Sequence, residues 1–190
     1  MSYKQTKKAD VAIGLPSKEN YGDLSTLKIG DLLDYYLQRH EADKAGIHDD
    51  LRFGTPDKGL YSWAVPKLLP APGGKVLAIQ QPIHKHEYGG WSGTIESGYG
   101  KGKVTSQDQG KLVINNTVNG NIFFSLIHKK QPERFVLVKP TKGNPKNWLL
   151  LNVTPTKPHD IDKVRYVPID KNELAPTLEK LQNPKVQAKI

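Results

Sequence analysis

The chain has 190 residues, 36% apolar and 25% charged, with a mean hydropathy of −0.58, enough for one domain with its own core plus extensions. It contains no cysteine, which excludes disulfides and thiolate metal sites, so any metal must be held by histidine, carboxylate and water. The net charge of +9 is unevenly placed: residues 1–50 carry 7 basic and 9 acidic side chains, residues 101–150 carry 9 and 2, and a basic half of this kind either attracts polyanions, chiefly nucleic acid, or belongs to a merely lysine-rich soluble protein.

The opening "MSYKQTKKAD" is polar and lacks the apolar stretch of a secretory signal. The longest apolar runs, such as Trp148–Leu151, are far too short to span a bilayer, so a cytoplasmic, nucleoid-associated protein with no membrane partner is expected. Residues 1–34 read as a polar N-terminal extension with a weak helical patch over "STLKIGDLLDYY". From about residue 35 the pattern changes to short alternating runs broken by Gly, Pro and Asn. "YYLQRHEA", "GIHDDLRFG", "LYSWAVPK", "KVLAIQQPI" and "GKGKVTS" read as strands. In "KLVINNTVNGNIFFSLIHKK", Asn119-Gly120 supplies the positive φ of a tight hairpin turn. "RFVLVKPTKGNPKNWLLLNV" reads as a second hairpin looping around Gly143. Many short antiparallel strands over 35–155 predict a mainly β fold, a small barrel or sandwich with short flanking helices. Residues 156–190 read as a tail in which "DKNELAPTLEKLQ" has capping-box spacing and is interrupted by Pro176.

The densest chemistry lies in "RHEADKAGIHDDLRFG", residues 39–54, with two histidines, four carboxylates and two arginines. On a strand, the two-residue period puts His48, Asp50 and Arg52 on one face and Asp49, Leu51 and Phe53 on the other. Imidazole beside carboxylate suits a borderline divalent metal such as manganese or zinc. A guanidinium on the same face suits a phosphate oxygen. His40 reaches the same place if the chain doubles back through "EADKAG", giving three protein ligands and open positions for water and substrate. A solvated strand edge or a purely structural ion pair would show the same residues.

A second cluster, "QQPIHKHEYGGW", puts His84, His86 and Tyr88 on one face if it is extended; His86 reads as the bystander. Histidine and tyrosine there can donate to phosphate oxygens, and histidine can also act as a general acid or take a metal. "GTIESGYGKGKV" is Gly-rich but lacks the strand–GxxxxGK[ST]–helix setting of a phosphate loop, so its glycines read as turns or bulges. His128 and His159 receive no role.

Taken in order, "LQRHEADKAGIHDDLRFG", "YSWAVPK", "HKHEYGGWSGTIESGYGKGKV" and "NWLLLN" resemble the 3′-phosphoesterase domain of bacterial DNA ligase D and its stand-alone relatives, over residues 37–152. That family carries Q-K-H…H-Y-D-F-R-L, then S-W-A-V-P-K, then H-P-L-E-Y-G…G-T-I-P-x-G-x-Y-G-x-G, then a late W-L-L. The resemblance implies a small closed antiparallel β-barrel with a manganese-dependent site, whose donors would also take zinc or another divalent ion. It implies healing of DNA 3′ ends: removal of a terminal ribonucleoside, then of the 3′-phosphate. It places the metal on His40, His48 and Asp50, sets Arg52, His84 and Tyr88 around the scissile phosphate, and makes Lys67 a lesser phosphate contact. The partners it implies are DNA 3′ ends in primer–template duplexes and a DNA ligase, fused or separate.

Three departures from the family pattern carry expectations. The His40–His48 spacing is two residues longer, so the turn should bulge. Lys75-Val76 stands where the family has an arginine. Residues 1–34 have no counterpart of the family's N-terminal Arg-Asp-Phe segment, which leaves the phosphatase step better supported than the ribonuclease step. Two other function classes fit the residues less fully: a non-catalytic barrel that binds DNA ends and recruits repair factors, and a hydrolase of small phosphate esters.

Overall fold

The computed structural model describes residues 20–98 and 101–156. Nine strands run in chain order: β1 (Leu32–Ala42), β2 (Gly46–Thr55), β3 (Gly59–Val65), β4 (Lys75–His84), β5 (Gly93–Ile95), β6 (Gly102–Val118), β7 (Asn121–Leu126), β8 (Glu133–Val138) and β9 (Asn147–Asn152). The order across the sheet is β1-β2-β3-β4-β9-β8-β7-β6, and a β1–β6 pairing closes it into an eight-stranded antiparallel barrel, with β5 added alongside the start of β6. Closure leaves the barrel without free edges, and eight strands give an interior that side chains can fill.

The inward positions alternate as a half-buried strand requires. Leu33 and Tyr35 on β1, Leu51 and Phe53 on β2, Tyr61, Trp63 and Val65 on β3 meet Leu112, Ile114, Phe124, Phe135, Trp148 and Leu150 in one core. Phe53 stacks on Trp63 with ring centroids 5.3 Å apart, and Phe124 on Phe135 at 5.6 Å. β6 is long enough to serve three neighbours: residues 102–113 pair with β1 on one side, and 102–104 with β5 and 112–118 with β7. Its ladder with β7 is interrupted by a bulge near Ile114–Asn116, and its ladder with β1 shifts register at Leu37/Gln38. "GKGKVTS" and "KLVINNTV" are therefore parts of one continuous strand. The Asn119-Gly120 turn has φ of 53° and 82°, as a tight hairpin of this type demands.

The helical patch over 25–36 does not form as a helix. Only Leu24–Thr26 makes a 3₁₀ turn, capped by the Asp23 carboxylate, which accepts from Ser25 N at 3.0 Å. Gly30, at φ 91°, then turns the chain, and β1 begins at Leu32. Alternation decides the outcome: Leu33 and Tyr35 reach the core two residues apart, a period that a helix does not have. Leu27 is buried in the same core, so residues 20–34 contribute to barrel packing. The tail segment "DKNELAPTLEKLQ" lies outside the described residues, and no helix among them is long and apolar enough to cross a membrane.

Candidate functional site

The site lies on the outer face of the barrel, on β1, β2 and β3. Because β1 and β2 form an unbroken antiparallel ladder, His40 stands directly opposite His48, Gln38 opposite Asp50 and Tyr36 opposite Arg52. Arg52 in turn faces Ser62 on β3. Directly opposed residues share a face, so the two-residue period read for β2 extends across three strands. Asp49 points the other way, and its carboxylate accepts two bonds from Arg39, at 2.9 and 3.2 Å.

The expected bulge in the "EADKAG" turn is absent. The ladder runs without a register shift from Asp34↔Gly54 to Ala42↔Gly46, and the turn closes on Gly46 at φ 76°. Extra residues added in a pair lengthen both strands of a hairpin by one step and leave the pairing of the residues below it intact.

The structure brings His40, His48 and Asp50 together, with one donor atom from each lying within 4.8 Å of the others. The imidazoles of His40 and His48 have centroids 4.9 Å apart. Asp50 is 5% exposed. One of its oxygens is held by Arg52 Nη2 at 3.2 Å, and the other lies 3.5 Å from His48 Nε2. Burial alone would raise the Asp50 pKa, but the Arg52 guanidinium and the His48 ring outweigh it and hold the carboxyl below its usual range. The bond to Asp50 raises the pKa of His48 in return. Two imidazoles and a carboxylate oxygen whose partner oxygen is anchored by a guanidinium form a donor set that fits a borderline divalent ion.

Arg52 is 8% exposed and is anchored on three sides: Nε donates to Ser62 Oγ at 3.2 Å, Nη1 to Gln38 Oε1, and Nη2 to Asp50. His84 closes β4, and its Nδ1 lies 2.7 Å from the Pro82 carbonyl oxygen. A carbonyl only accepts, so Nδ1 carries the proton and the neutral ring presents a bare Nε2. Burial, reinforced by the Arg52 charge, pushes the His84 pKa down to about 3.

The chain does not stay extended after His84. Residues His86–Tyr88 make a 3₁₀ turn, so His84, His86 and Tyr88 do not share a strand face. Tyr88 comes to the site through its backbone: its carbonyl accepts from Gln38 Nε2 at 2.6 Å, while its ring meets Trp91 edge to face at 5.9 Å. His86 sits away from the metal-candidate trio, 2.7 Å from an Asp34 oxygen. Lys67 is exposed past the end of β3 and joins none of the hydrogen bonds or ion pairs of the cluster. His128 pairs with Asp108 at 2.9 Å, and His159 lies outside the described residues.

Two residues that shape the site were not singled out by the sequence reading. Gln38 is 0% exposed and links Arg52 to the backbone of both Tyr88 and Trp91, the latter at 2.8 Å; Ser62, 1% exposed, accepts from Arg52. The signal for Gln38 was present: it stands two residues before His40, and the period applied to β2 applies equally to β1. Ser62 opens the quoted S-W-A-V-P-K motif, but its role opposite Arg52 follows only from the β2–β3 register.

Among the comparisons with known proteins, no curated protein matches the chain. A family model described as the DNA Ligase D 3′-phosphoesterase domain matches residues 38–139, which is more than half of the chain and holds every residue of the cluster. With that match, and with the closed β-barrel and its His–His–Asp face, the chain belongs to the DNA ligase D 3′-phosphoesterase domain family.

Proposed function

We propose that the chain is a metal-dependent phosphoesterase that heals DNA 3′ ends, with the 3′-phosphatase step as its core activity and removal of a terminal ribonucleoside as a further one. Family membership supports the phosphoesterase role. The observation that carries the rest is the convergence of His40, His48 and Asp50 beside Arg52 and His84 on one outer face. The trio would hold manganese, or zinc or another divalent ion, which when bound supplies Lewis acidity at a phosphoryl oxygen.

The chain's own groups supply the remaining requirements. Arg52 sets fixed positive charge beside the trio, where phosphoryl charge develops, in a site with little water to screen it. His84 presents a bare Nε2, which can accept a hydrogen bond from the attacking water and orient it toward phosphorus; as the phosphorus–O3′ bond breaks, the 3′ oxygen takes a proton from solvent and leaves as the 3′-hydroxyl. The Gln38 amide fixes Arg52 and the Tyr88–Trp91 backbone relative to each other. Lysines of 101–150 would hold the duplex through phosphates without reading bases.

The test is release of phosphate from a 3′-phosphate primer–template. His48→Ala and Asp50→Ala are each expected to lower turnover by about a hundredfold or more. Wild-type rates in either variant would contradict the assignment of the trio.

A further inference from the structure

The outward face of β1 does more than present His40. Three outward residues in succession, Asp34, Tyr36 and Gln38, each hold the segment that crosses the site between β4 and β5. Asp34 Oδ2 lies 2.7 Å from His86 Nε2, and the Tyr36 hydroxyl 3.4 Å from the same nitrogen. Gly89 lies flat on the Tyr36 ring, so close that a Cβ there would stand 2.3 Å from it. Gln38 Nε2 then donates to the carbonyls of Tyr88 and Trp91. At roughly 3.4 Å of rise per residue, these contacts are spaced along one line that ends at His40. Asp34 is itself oriented by Lys111, its direct partner across the β1–β6 ladder, whose Nζ pairs with the second carboxylate oxygen.

We propose that Asp34 and His86 form a positioning pair that pins the far end of this segment to β1 and so sets where His84 stands beside Arg52 and Asp50 and where the Tyr88 backbone meets Gln38. His86 lies two residues from each of them, on opposite sides, and the turn between Lys85 and Gly89 is short and internally bonded: Tyr88 N donates to Lys85 O and Gly89 N to His86 O, both at 3.0 Å. A displacement at His86 is therefore carried to both neighbours. Among the described residues, the side-chain partners of Asp34 and His86 are each other, Tyr36 and Lys111, so the pair acts on the site from outside it, by where it holds the segment on β1. The consequence for turnover rests on the phosphoesterase reading; the pin itself does not.

The experiment pairs kinetics with amide hydrogen exchange on the full chain with manganese and a 3′-phosphate primer–template. Asp34→Ala and His86→Ala are each expected to lower kcat about tenfold while KM moves less than about twofold, since a misplaced group costs transition-state more than ground-state binding. The double variant should be no slower than either single one, and His86→Gln, which keeps a nitrogen donor at the same reach, should recover to within about threefold of the parent. In both alanine variants the amides of Tyr88, Gly89 and Trp91 should exchange at least about tenfold faster, with the β1–β2 ladder unchanged. Unchanged protection at these amides overturns the pin, and faster exchange with unaltered kcat overturns its positioning role. A parent chain that releases no phosphate contradicts the phosphoesterase reading instead, and the exchange pattern still decides the pin.

Discussion

Arg52 shows how much one side chain holds together at this site. Its guanidinium bonds to Ser62 on β3, Gln38 on β1 and Asp50 on its own strand, so three strands meet in one planar group. A lysine keeps the charge but not the fork. Arg52→Lys is expected to lower phosphate release by about tenfold or more and to destabilise the barrel by about 2–3 kcal/mol through the lost buried bonds, measurable by steady-state assay and urea unfolding. Unaltered turnover would show that the charge alone suffices. At this scale the sequence was informative wherever the strand period could be applied. His48, Asp50 and Arg52 fall on one face because the backbone alternates, and Asp49 leaves it for the same reason. Gln38 falls on the same face by the same period, but what it connects is not written in the strand: an amide becomes a connector only when a guanidinium and two carbonyls are brought around it by other parts of the chain.

At the scale of the element, the β1–β2 hairpin decides whether His40 can join the trio. Its longer turn is absorbed as one more ladder step, closed by Gly46 at φ 76° with open space where a Cβ would stand. The requirement at Gly46 is therefore conformational and not steric. Gly46→Ala is expected to cost about 1–2 kcal/mol, and Gly46→Asn less, because asparagine tolerates the left-handed region. Equal stability of the alanine variant and the parent in thermal unfolding would show that the turn can relax. The other element that departed from expectation is the segment after His84. Its histidines and tyrosine alternate as a strand would, yet the 3₁₀ turn breaks the alternation. The turn follows from what β1 offers below it, a ring for Gly89 and a carboxylate for His86, and such contacts are not written in the local pattern.

For the whole molecule, the mainly β architecture was legible from alternation and turn residues, and the Asn119-Gly120 hairpin formed as read. Closure was not legible from local pattern, because β1 and β6 pair across some seventy residues of chain and only the resemblance implied it. Closure matters to function. It fills the inner faces with an aromatic and aliphatic core, leaving the outer face of β1–β3 as a rigid platform on which polar residues keep fixed spacing. On the proposed function, this platform holds a divalent ion through His40, His48 and Asp50 and uses it to release a 3′-phosphate. The most direct measurement is to strip the full chain with chelator, titrate manganese back, and follow bound metal and phosphate release from a 3′-phosphate primer–template together. The expected result is no turnover in the stripped protein and recovery that tracks the filling of one site per chain. Undiminished turnover after chelation, or recovery unrelated to metal bound at the trio, would contradict it.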